Sequence, residues 1–184
     1  MIFVSLNTTK KSENLIFAEK TLKIRLFPAL HVYYYNGSVL TNITIPINKS
    51  FNEGLQIISD LIEDKSNKVA SEDNMEFYIA KSFDEDKIAV VLFHDSDIIS
   101  VSFRTFGHLT KYKNHFRFLN YKNPSDSLKN RYGIKKLPKM MAIVPQSFIN
   151  SEGGTMVVVY EGVFIYHEMA KFLHNVNFFF IIFL

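Results

Sequence analysis

The sequence predicts an α/β fold, a sheet with helices on both faces, and three observations carry that prediction. Residues 87–93 read Lys-Ile-Ala-Val-Val-Leu-Phe, a continuous apolar run of the kind found in a strand buried on both faces. Strands alternate with helices around this run and then give way to an adjacent pair of strands, the order of a helix-flanked sheet. The later part of that order also occurs twice, 110 residues apart, with Ile24 matching Ile134, Arg25 matching Lys135, Phe27 matching Leu137 and Pro28 matching Pro138.

Each element has its own signal. In the first copy, Pro28 leads an apolar strand from Ala29 to Tyr35, Gly37 makes the turn, and Val39 to Ile45 form the return strand. Ser50 and Glu53 then stand at capping-box spacing before Leu55, Ile58, Leu61 and Ile62, which share one helical face. Acidic and polar residues around 62–73 read as a linker. Beyond the buried run at 87–93, Ile99, Phe103, Phe106 and Leu109 fall on one face of a helix, and Phe116 and Phe118 straddle Arg117 in a strand. Pro124 and Ser125-Asp126 open a short helix carrying Leu128 and Tyr132. After Pro138 come a strand from Met140 to Val144, a Gly153-Gly154 turn, a strand from Thr155 to Tyr160, and a helix whose Tyr166, Met169, Ala170 and Leu173 follow helical spacing.

Composition narrows the chemistry. The chain has 184 residues, is 47% apolar and 21% charged, and contains no cysteine. Disulfide scaffolds, thiolate zinc sites and reactive thiols are therefore excluded from this chain. A net charge of +3 does not by itself call for a polyanionic partner. The N-terminal residues Met1–Leu6 lack the basic region and cleavage site of a signal peptide. The apolar run 178–184 falls well short of the ~20 residues of a membrane helix.

The order strand–helix–strand–helix–(Ile, basic)–apolar–Pro–strand–strand–helix resembles the thioredoxin fold. Val90-Val91-Leu92-Phe93 and Tyr132-Gly133-Ile134-Lys135-Lys136-Leu137-Pro138 carry the likeness. Tandem copies are similar to the arrangement in the protein disulfide isomerase family. The resemblance implies a thioredoxin-like sheet flanked by helices, with cis bonds before Pro28 and Pro138. It implies these domains: residues 1–66 as the C-terminal half of a thioredoxin-like domain, 67–74 as a linker, 75–177 as a complete domain, and 178–184 as an apolar tail. Counterparts of roughly residues 75–110 are missing from the first copy, which suggests a truncated or partial gene product.

One departure from the family decides the expected function. Active members carry Cys-x-x-Cys after the central strand, whereas here the stretch reads His94-Asp95-Ser96-Asp97-Ile98-Ile99-Ser100-Val101. Ile98 and Val101 lie roughly where the thiols would be. The resemblance thus implies a redox-inactive module in protein folding, not an enzyme. It would bind unfolded or partner polypeptide at Leu137, Pro138, Ile98 and Val101, need no cofactor or metal, and reside in the endoplasmic reticulum lumen. The alternative is a fragment of a thiol–disulfide oxidoreductase whose Cys-x-x-Cys lies upstream of Met1.

Other signals are weaker. Between Arg104 and Lys139 there are ten Lys or Arg and one acid, Asp126, interleaved with aromatics. This mixture is compatible with single-stranded nucleic acid, but the periodicity favours core aromatics beneath a solvated basic face. His167 and Glu168 begin like a zinc-protease helix, but Lys171 occupies the position of the second histidine. Asn7, Asn36, Asn42 and Asn48 each begin an N-glycosylation pattern.

Overall fold

The chain divides into two units, residues 1–61 and 62–184. The computed structural model describes residues 13–24, 29–36, 39–46, 50–145 and 155–181. In the first unit, helix α1 (Glu13–Lys20) precedes strands β1 (Ala29–Asn36) and β2 (Val39–Pro46) and helix α2 (Phe51–Asp60). The strands pair antiparallel, from Ala29 opposite Pro46 to Asn36 opposite Val39. The expected capping box opens α2. Ser50 Oγ accepts the Glu53 N–H at 3.3 Å, and the Glu53 carboxylate accepts the Ser50 N–H at 2.8 Å. Pro28 and the Gly37 turn lie outside the described residues.

The second unit holds β3 (Asn67–Val69), α3 (Glu72–Asp84), β4 (Ile88–His94), α4 (Val101–Phe106), α5 (Thr110–Lys113) and β5 (Phe116–Lys122). It continues with α6 (Asp126–Arg131), β6 (Lys139–Val144), β7 (Met156–Tyr160) and α7 (Tyr166–Ile181). Five strands form one sheet in the order β3-β5-β4-β6-β7. β3 and β4 run parallel to β5, β6 runs antiparallel to β4, and β7 antiparallel to β6. The sequence β6–β7–α7 repeats the element order β1–β2–α2 of the first unit, as the 110-residue repeat predicts, and in each unit a helix precedes the strand pair.

Alternation along β4 sends successive side chains into two cores. Val90 and Leu92 meet Phe103, Phe106, Phe118, Met140, Met169 and Leu173 under α4, α5 and α7. Val91 and Phe93 meet Val69, Met75, Leu119, Leu128 and Met141 under α3 and α6. Every residue of β4 is buried, as its continuous apolar run requires.

Three expectations are corrected. Residues 67–74 do not form a linker: Asn67–Val69 is an edge strand of the sheet, and α3 begins at Glu72 behind its N-cap Ser71. The segment just before is fastened to the same unit. Arg104 donates to the Ile62 carbonyl at 2.7 Å, and Asn120, buried in β5, donates to Asp64 at 2.9 Å and Ser66 at 2.7 Å. The helix expected to carry Ile99, Phe103, Phe106 and Leu109 is only Val101–Phe106, and α5 follows separately from Thr110. Helix α4 stops at Gly107, where an added Cβ would lie 3.0 Å from Lys65 Cβ. The apolar stretch from 178 does not start a separate tail, because α7 runs on to Ile181.

Asn120 is a buried polar residue that ties the segment 62–66 to β5. Asn120→Leu should cost about 1–3 kcal/mol, because Asp64 and Ser66 lose a donor that water only partly replaces. Urea unfolding followed by circular dichroism measures this loss, and an unchanged midpoint would show that the segment 62–66 is not held through Asn120.

Candidate functional site

The site forms where the central strand ends. Alternation places His94 on the same face as Leu92, and β4 pairs with β6 so that Phe93 lies opposite Lys139. That register carries Pro138, just before β6, alongside His94. The Leu137–Pro138 peptide bond is cis. Beyond β4 the chain turns through 95–100 before α4. Ser96 holds this turn: its carbonyl lies 2.9 Å from His94 Nδ1, and its hydroxyl accepts the Ile98 N–H at 3.1 Å.

A third wall comes from the turn between β7 and α7. The Tyr160 hydroxyl donates to the Val163 carbonyl at 2.5 Å, and the Tyr160 ring meets Phe164 edge-on at 5.5 Å between centroids. Burial raises the Tyr160 hydroxyl pKa above its ordinary value. The turn folds so closely over Tyr160 that a Cβ on Gly162 would sit 2.6 Å from the Tyr160 hydroxyl. Gly162→Ala should therefore destabilise the unit by about 1–3 kcal/mol, as overpacking does. A thermal melt measures the effect, and a melting temperature equal to that of the parent would contradict this packing.

Together these segments enclose a cleft of about 180 Å³, lined by Leu92, His94, Asp95, Ser96, Ile98, Ile99, Ser100, Pro138 and Phe164. Two residues singled out from the sequence, Ile98 and Pro138, meet here. The other two do not line the cleft. Leu137 is half-buried against the core on the α3 and α6 side, since the chain changes face between it and Pro138. Val101 is the half-buried first residue of α4. Sequence reasoning missed Leu92, His94, Asp95, Ser96, Ile99, Ser100 and Phe164 as lining residues. His94 carries a legible signal, a polar residue closing an apolar strand. Phe164 carries none, because the Tyr160 turn brings it to the cleft.

Five of the ten basic residues of the segment 104–139 stand in ion pairs. Arg117, Lys122, Lys129, Arg131 and Lys139 pair with Glu85, Asp97, Asp126, Glu76 and Glu161. The hydrogen bond and charge of Lys122 hold the Asp97 carboxyl below its usual pKa. Phe103, Phe106, Phe116 and Phe118 are buried in the core and do not form a stacking platform. Among the described residues, no group of three His, Asp or Glu side chains could hold a metal ion. No helix among them is long and apolar enough to cross a membrane.

No protein-family model matches the sequence. No curated protein matches it either. Solved structures do. The chain is similar to full-length ERdj5, with 12% identity and a TM-score of 0.54 over 87% of this chain and 22% of that one. It is also similar to chloroplastic thioredoxin z, with 14% identity and a TM-score of 0.45 over 61% of this chain and 94% of that one. The strand order, the helices on both faces and the likeness to full-length ERdj5 make the fold thioredoxin-like.

Proposed function

We propose that this thioredoxin-like chain is a redox-inactive module that binds unfolded or partner polypeptide through the cleft at the carboxyl end of β4. The observation that carries the reading is Ile98, 61% exposed at the rim of a concave site that Pro138 also lines. A large exposed aliphatic side chain beside an apolar cleft is a surface suited to apolar groups of a partner. With no cysteine, the chain has no thiol for exchange, which fits a binding role for such a site.

On the same reading the chain serves protein folding in the endoplasmic reticulum lumen. Asn42 and Thr44, both exposed on β2, form an acceptor pattern that suits that compartment. Titration of the chain into a labelled unstructured peptide rich in Leu, Phe and Tyr tests the proposal by fluorescence anisotropy. Saturable binding, displaced by the unlabelled peptide, is the expected result. Failure of such peptides to bind would overturn it.

A further inference from the structure

His94 has an unmet need. It is 5% exposed, and its Nδ1 faces the Ser96 carbonyl. A carbonyl only accepts, so Nδ1 carries the proton and Nε2 of the neutral ring presents a lone pair. That Nε2 is buried and has no hydrogen-bond partner. A buried polar atom left in this state is costly and calls for an explanation. His94 is itself a wall of the cleft.

The other walls define what could supply the donor. Leu92, Ile98, Ile99, Pro138 and Phe164 are apolar, Asp95, Ser96 and Ser100 are polar, and the cleft measures about 180 Å³. An apolar cavity of about 150 Å³ is known to hold benzene. The geometry points to an aromatic side chain with a donor at its edge, a tyrosine or tryptophan of the bound polypeptide, whose O–H or N–H bonds His94 Nε2. Such side chains pair a large apolar body with one polar group that needs a partner when buried. Phenylalanine fills the same space but leaves Nε2 unmet, and leucine also offers no donor. The inference rests on the cleft being the polypeptide site and adds the side chain it selects.

The test uses the full chain and Gly/Ser peptides with a single central Tyr, Phe or Leu, compared by calorimetry. The Tyr peptide should bind about tenfold more tightly than the Phe peptide, the worth of one buried donor. In His94→Leu the difference should shrink to within about twofold. Equal binding of the Tyr and Phe peptides by the parent chain would overturn the inference while leaving the polypeptide site in place. That comparison needs no variant, so it decides even if His94→Leu misfolds. A Tyr preference that survives in folded His94→Leu would show that His94 is not the acceptor. If none of the peptides binds, the cleft reading and the inference fall together.

Discussion

Phe106→Ala should destabilise the second unit by about 3–5 kcal/mol, the cost of deleting a large buried aromatic. Phe106 is completely buried. Its ring lies 4.9 Å from Tyr112 in an edge-on contact, 5.0 Å from Tyr166 in a stacked one, and 6.0 Å from Phe118. It therefore joins α4, α5, β5 and α7 at one point, and truncation opens a cavity that none of these elements can collapse to fill. Against a typical domain stability of about 5–15 kcal/mol, such a loss consumes much of the total. Urea unfolding followed by far-ultraviolet circular dichroism measures it. Phe106→Leu should fall between the parent and the alanine variant. A loss below about 1 kcal/mol would mean that α4 is not packed on the sheet as described.

Ile98→Asp should weaken binding of an unstructured apolar peptide at least about tenfold while leaving the melting temperature unchanged. The two readouts separate because Ile98 is 61% exposed at the rim of the cleft. Exposed substitutions away from caps and strained backbone generally shift stability by no more than about 0.5 kcal/mol. At a site closing on apolar side chains, the aspartate must be stripped of water or hold the ligand away. Ile98→Leu should bind nearly as well as the parent, showing that the apolar surface matters. A variant that binds peptide normally and melts normally would move the binding surface elsewhere on the unit.

Much of the architecture is legible in local pattern. The strand around Val90 announces itself because both of its faces are buried, and α7 because Met169 and Leu173 keep helical spacing into one core. The capping box at Ser50 is local chemistry, and so is the Ser125 cap of α6. β3 is not legible. It has three residues, of which Val69 alone faces the core, and its place depends on pairing with β5 and on Asn120 holding Asp64 and Ser66. Helix α3 is obscured by an outward Phe77, 59% exposed, and a buried Ser82 whose hydroxyl is satisfied by the Tyr78 carbonyl. Its apolar stripe is interrupted where periodicity would need it to be continuous.

The same contrast holds in the cleft. Ile98 and Pro138 are foreseeable from the likeness of their flanking segments to a known fold. Leu137 is not on the expected surface, since neighbouring residues at the start of a strand point to opposite faces. Phe164 enters because a buried tyrosine hydroxyl fastens the turn before α7, and no spacing rule encodes that contact. His94 is visible as a histidine, but its unpartnered Nε2 belongs to the folded geometry.

The most direct test of the binding site is a titration of isotope-labelled protein with an unstructured peptide containing one tyrosine, followed through its backbone amide resonances. The account predicts that the largest shifts fall on residues 94–100, with smaller ones on residues 139–140 and 163–165, around the rim of the cleft. Shifts that cluster on the opposite face, over α3 and α6, would contradict it.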